Sequence, residues 1–249
     1  MISRTYLRIV ANLHALLHID MFLRINEFRF ILPHFLLPRI LDNVEHVVLN
    51  REYMLVKRVA PNNNDIVLDV GACIGLYTAI AGRRSRHIVA VEPLRILAPY
   101  IKRNAELNNV RNLSIVNAAV APRTGWCRFY IGRYLLNSSL LKSYVDDVCG
   151  VERVEEVRCI SINTMLKIYR PTLVKLDVEG LELDLLKASI DALQSVEKLV
   201  IEVHTNVVDL NEVVNLLEEL GYTIAIYTSS EEPFQVMVYA WRDFKASRS

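Results

Sequence analysis

Three acidic residues and one histidine stand where chemistry can be done, each at the end of a short apolar run: Asp69 and Glu92, then Asp177, then His204. Asp69 closes Ile66–Val70 and opens a turn, Gly71-Ala72-Cys73-Ile74-Gly75, that leads into a helical pattern through Tyr77 and Thr78. Glycines in such a turn let backbone approach a bound molecule, and the helix start offers free N–H groups. A dinucleotide site needs G-x-G-x-x-G with a pyrophosphate on the helix end, but Cys73 holds the middle glycine position and the last small residue is missing. No Gly-Lys-Ser/Thr follows, so a P-loop is excluded too. The loop therefore suits a phosphate-free donor that joins adenosine to an amino acid, with Asp69 reaching the ammonium group directly or through water.

Glu92, followed by Pro93, ends the next apolar run and is placed to accept both ribose hydroxyls. Asn117 ends the third and is expected to read the adenine edge with its amide. The expected donor-binding set is thus Asp69, Gly71, Ala72, Gly75, Tyr77, Thr78, Glu92 and Asn117. For the chemistry, His204 is the first candidate for a general base, because imidazole titrates near neutrality. Asp177 is expected to orient donor or acceptor, and Glu179 either to share that task or to hold the turn at Gly180. A packed structural histidine is the competing reading of His204, and a helix-dipole interaction accounts for Glu182.

The elements that must position these residues alternate. Apolar runs at 66–70, 88–91, 113–117, 173–178, 198–203, 223–227 and 235–241 read as strands, and 76–82, 93–107, 181–188 and 210–220 as helices. Such alternation predicts an α/β doubly wound, mostly parallel sheet. Residues 123–158 interrupt it as an inserted hairpin and loop, a natural place for acceptor contacts. Residues 1–59 read as an N-terminal helical cap, from Leu7, Val10, Leu13 and Leu17 at helical steps, and 60–249 as the main domain. The cap is expected to pack on that domain, with contact to a membrane surface or lipid-linked substrate as the alternative.

The run Asp69–Thr78, the block Val174-Lys-Leu-Asp-Val-Glu-Gly-Leu-Glu182 with Leu186-Lys-Ala188, and Ile201-Glu-Val-His204 together resemble the FkbM-type methyltransferases, over roughly residues 51–239. The resemblance implies a class I (Rossmann-like) fold with seven strands, the last antiparallel. It also implies S-adenosylmethionine as cofactor and methylation of a hydroxyl on a sugar, lipid-linked glycan or other small molecule. Cys73 departs from the asparagine usual in that family, and Ser161-Ile-Asn-Thr-Met-Leu166 from a more acidic pattern.

Composition limits the alternatives. With 249 residues, 52% hydrophobic and 23% charged, and a net charge of +1, the chain has enough apolar matter for a full core and no global field that announces a polyanionic partner. An RNA acceptor is the second reading, carried by a basic edge at Arg83, Arg84, Arg86, Arg103 and Arg111; a donor-binding protein without turnover is the third. Charged residues interrupt the apolar N-terminal stretch before a spanning length accumulates, so a cytoplasmic protein without a transmembrane span is expected. Cys73, Cys127, Cys149 and Cys159 lack zinc spacing, no metal site is expected, and reduced thiols are the default, with Cys149–Cys159 as the alternative bridge. The oligomeric state is not readable.

Overall fold

The computed structural model describes residues 4–229 and 234–242; the last residues of the expected main domain, 243–249, lie outside them. Seven strands form the central sheet: β3 (Ile66–Val70), β4 (His87–Val91), β5 (Leu113–Val116), β9 (Leu173–Leu176), β10 (Lys198–His204), β11 (Thr223–Thr228) and β12 (Gln235–Trp241). Their order is β11-β12-β10-β9-β3-β4-β5. Neighbours from β10 to β5 pair in parallel, and β12 runs antiparallel between β10 and β11. The order reverses between β3 and β9, which opens a crevice at the carboxyl ends of those strands.

Both faces of the sheet are covered, which is why its central strands read as near-continuous apolar runs. Leu68, Val89, Val174 and Ile201 pack under α6 (Ile162–Tyr169), α7 (Glu182–Ala188), α8 (Ile190–Leu193) and α9 (Leu210–Glu219). Val67, Ile88, Leu173 and Val200 face a second core, built with α3 (Leu76–Gly82), α4 (Ala98–Leu107) and the N-terminal segment.

That segment corrects the expected helical cap. Helix α1 (Arg4–Leu16) and the short α2 (Ile40–Val44) are present, but β1 (Met21–Ile25) and β2 (Phe28–Leu32) form an antiparallel hairpin between them. The reason is local: Asn26 takes a left-handed φ of 52° at the turn, and Phe28, Phe30 and Leu32 alternate inward with the period of a strand. Asn104 and Asn108 of α4 clamp β2 by its backbone, Asn104 Oδ1 accepting from Ile31 N–H at 2.7 Å and Asn108 Oδ1 from Arg29 N–H at 3.0 Å. Segment and sheet therefore share one core.

The insertion forms a separate three-stranded sheet of β6 (Ala119–Ala121), β7 (Gly125–Gly132) and β8 (Val151–Ser161), with α5 (Lys142–Val148) between β7 and β8. Antiparallel register sets Gly125 against Cys159 and Cys127 against Val157, so both cysteines lie diagonally on one face. They are joined as a disulfide, which overturns both the reduced default and the Cys149–Cys159 alternative; Cys73 and Cys149 are free.

Candidate functional site

Strand register builds the site. Asp69 on β3 is level with Lys175 on β9, and the next residues of the same parity, Asp177, Glu202 and His204, follow on the same face. Lys175 is 2% exposed inside a strand with no other polar residue. Its ammonium donates to Gly71 O (2.7 Å), Val70 O (3.3 Å) and Asp177 Oδ2 (3.2 Å), and lies 3.5 Å from Asp69 Oδ1. Burial opposes its charge, but Asp177, Asp69 and Glu202 outweigh burial and hold its pKa above the ordinary lysine range. The sequence signal for Lys175 is a lone lysine amid the apolar Leu173, Val174 and Leu176.

Donor side. A cleft opens between the β3 and β4 ends and the insertion, lined by Gly71, Cys73, Glu92, Leu94, Ala119 and Phe129 among others. Glu92 Oε2 accepts from Cys73 N–H (3.0 Å) and Oε1 from Leu94 N–H (2.9 Å), so the carboxylate is aimed by two backbone bonds while keeping lone pairs for a ligand. Burial pushes its pKa up to about 7 against the lowering effect of those bonds. Gly71 has φ +75°, and a Cβ there would lie 1.9 Å from the Asp177 carbonyl oxygen, so the β3 and β9 ends touch through bare backbone. Gly75, with φ +81°, lets α3 start against Ile101 of α4.

Other expected donor residues lie elsewhere. Asp69, 0% exposed, accepts from Thr78 Oγ1 at 2.5 Å and pairs with Lys175 beneath the loop. Thr78 and Tyr77 are buried behind the loop, Tyr77 edge-on to Tyr53 at 5.4 Å, and Ala72 packs with Ile101. Asn117 spends its amide N–H groups on the carbonyls of Glu92 (2.8 Å) and Pro93 (3.0 Å). In this way it braces the β4 end.

Acceptor side. A second, more polar cavity of about 410 Å³ adjoins the cleft and shares Asn43, Leu136, Asp177 and Glu179 with it. Its walls come from the N-terminal segment (Arg39, His46, Tyr53), the insertion (Asn137, Tyr144) and the β10 end (Glu202, His204, Asn206). Glu179 (φ 55°) and Gly180 (φ 101°) turn the chain sharply after β9 and leave Glu179 facing both cavities. The Tyr144 hydroxyl donates to Glu179 Oε2, and Glu179 O accepts from Ser139 Oγ at 2.8 Å. Burial, reinforced by Asp177, pushes the Glu179 carboxyl up to about 8, although His204 draws it down.

His204 is 1% exposed. Its Nδ1 donates to Glu182 Oε1 (2.9 Å), while Nε2 lies 3.3 Å from Glu179 Oε2 but off the line of a hydrogen bond. Burial opposes charge on the ring, yet Glu179 and Glu182 outweigh it and hold the pKa well above that of a free histidine. Glu182 also accepts from Gly180 N–H at 3.0 Å, so it fixes the turn and the imidazole together, beyond the dipole interaction expected of it. The Tyr53 hydroxyl faces Asp177 Oδ2 (3.0 Å) and Glu202 Oε2. Burial and Asp177 push the Glu202 carboxyl up to about 7. Tyr53 carries no local motif, and only the folding of the N-terminal segment onto β9 and β10 brings it here.

Among the described residues no helix is long and apolar enough to cross a membrane. Known proteins resemble this chain in sequence and in fold, the solved structures in fold alone. The hexuronic acid methyltransferase AglP of Haloferax volcanii is 26% identical over 159 residues, 63% of this chain and 62% of its own length. The crystal structure of methyltransferase FkbM from Methylobacillus flagellatus KT superposes with a TM-score of 0.51 at 18% identity, over 72% of this chain and 44% of that one. M. jannaschii TYW2, solved in complex with AdoMet, superposes at 0.52 and 14% identity, over 89% of this chain and 84% of that one, a likeness of fold alone. The methyltransferase FkbM domain model matches residues 69–224, and Glu92, aimed into the cleft by two backbone N–H groups, suits the ribose of an adenosine-bearing donor: the chain belongs to the FkbM methyltransferase family, with S-adenosylmethionine as its cofactor.

Proposed function

We propose that this chain transfers a methyl group to a hydroxyl of a sugar, with a hexuronate-bearing glycan as the acceptor class. The observation that carries the reading is the meeting of donor cleft and polar cavity at Asp177 and Glu179. Arg39, Asn137, Asn206 and Gln235 give the larger cavity hydrogen-bonding walls suited to sugar hydroxyls, and Arg39 suits a carboxylate. The similarity to a hexuronic acid methyltransferase supports the same class. The basic edge proposed for RNA argues the other way: Arg83, Arg84 and Arg86 precede β4 and Arg111 precedes β5, at the strand ends opposite the cavities.

S-adenosylmethionine supplies an electrophilic methyl on sulfur. The chain's own work is to align the acceptor, exclude water and take one proton. Glu92 would hold the ribose hydroxyls of the bound donor, with the Gly71–Gly75 turn beside it. Glu179, facing both cavities, accepts the hydroxyl proton; Asp177 orients the acceptor; His204, clamped by Glu182, positions Glu179 and is not itself the base. Glu179→Gln is expected to lower transfer to a uronate oligosaccharide about 10²- to 10⁴-fold, the usual worth of general-base catalysis. Donor affinity by calorimetry should stay nearly unchanged. A Glu179→Gln enzyme that keeps its rate, beside a His204→Ala enzyme that loses it, would return the base to β10.

A further inference from the structure

We propose that Asp177, Glu179 and His204 form a divalent-cation site at the floor of the polar cavity, for a Mn²⁺-like ion whose remaining coordination positions face the acceptor. One ligand atom from each of the three residues lies within 4.8 Å of the others. Ligands at right angles on an ion with bonds of about 2.1 Å stand about 3 Å apart, and His204 Nε2 is already 3.3 Å from Glu179 Oε2. A rotamer adjustment of the carboxylates closes the rest.

The independent observation is the state of His204. Its Nε2 is buried and makes no hydrogen bond, while its Nδ1 is fixed by the Glu182 carboxylate. A polar atom buried without a partner costs about 1–3 kcal/mol. An imidazole whose distal nitrogen is tied to a carboxylate, leaving the other nitrogen aimed at further carboxylates, is the arrangement that orients a metal-bound histidine. Charge points the same way: the carboxyl groups of Asp177, Glu179 and Glu182 converge on the His204 ring, and Lys175, 3.2 Å from Asp177 Oδ2, is shared with Asp69 and two backbone carbonyls. Two carboxylate oxygens and one imidazole nitrogen suit Mn²⁺ better than Mg²⁺, which prefers oxygen alone.

Asp177 follows β9, Glu179 is itself left-handed at the turn with Gly180, and His204 comes from the neighbouring strand, so their convergence requires the fold. The site rests on this geometry; only the use of its open positions, to hold a hydroxyl and a carboxylate of the acceptor, rests on the proposed sugar methylation. Glu179 keeps its second oxygen for the acceptor proton.

The test is titration of chelator-treated protein with Mn²⁺ alone, without donor or acceptor, followed by electron paramagnetic resonance. One ion per chain is expected, with a nitrogen coupling from the imidazole. The coupling should vanish in His204→Ala, and Asp177→Asn should weaken binding at least tenfold, with folding checked by circular dichroism and by donor affinity. Should His204→Ala fail to fold, loss of binding in Asp177→Asn together with the nitrogen coupling in the parent protein still supports the site. No stoichiometric binding at millimolar Mn²⁺, or binding unchanged in both Asp177→Asn and Glu179→Gln, would overturn it. Neither result depends on whether sugars are methylated.

Discussion

Lys175→Met removes a buried cation beneath the donor loop while keeping an unbranched side chain of similar length. Four contacts go with it: the carbonyls of Val70 and Gly71, and the carboxylates of Asp69 and Asp177. Breaking a buried pair costs about 3–5 kcal/mol, because the surviving charge stays desolvated. Asp69 is the group left so exposed to that penalty: it is fully buried, burial already raises its pKa, and Thr78 would be its remaining partner. Methionine packing recovers part of the loss, so about 4 kcal/mol is expected, a large share of a typical 5–15 kcal/mol. With an m-value near 3 kcal/mol/M the urea midpoint should fall by about 1–2 M. Adding Asp69→Asn should restore roughly half the loss, since the stranded charge is then gone. Urea denaturation followed by circular dichroism, in chelator, reads both variants. A midpoint within about 0.3 M of the parent for Lys175→Met, or no recovery in the double variant, would refute the electrostatic account of the loop.

Glu92 titrates near 7 in the folded protein, and a carboxylate is the better acceptor for ribose hydroxyls, so donor affinity by calorimetry should weaken about tenfold from pH 8 to pH 6 and lose that slope in Glu92→Gln. Stability responds with the opposite sign: the raised pKa contributes stability that is full below the unfolded value of 4.5 and lost as pH rises through about 7, which melting of the donor-free protein would read. Gly71→Ala should abolish donor binding and lower the melting temperature, because φ +75° and a contact of 1.9 Å with the Asp177 carbonyl oxygen force β3 from β9; a soluble variant with parental donor affinity would contradict this. Maleimide labelling of the denatured, unreduced chain should modify Cys73 and Cys149 alone, with all four cysteines labelled after reduction; four labelled before reduction would place the thiols free in the native protein.

The central sheet was legible because parallel strands buried on both faces must be apolar throughout, and their carboxyl ends then display whatever polar residues follow. Glu92, Asp177, Glu179 and His204 were found in that way, and all four line a cavity. What the spacing did not show was which side chains are satisfied within the protein. Asn117 and Asp69 stand at the right strand ends, but a backbone carbonyl pair and a buried lysine occupy them first. The hairpin at Met21–Leu32 escaped because its alternation lies in a segment whose flanks are helical. Tyr53 and the Cys127–Cys159 bridge depend on contacts between distant segments, which no local pattern encodes.

Incubating the protein with methyl-labelled S-adenosylmethionine and equal amounts of uronate oligosaccharide, neutral oligosaccharide, RNA and protein, then locating the label, tests the central claim most directly. The account predicts label in the uronate fraction, as an alkali-stable methyl ether and not an ester. Label confined to RNA or protein, or an ester on the carboxylate, would contradict it.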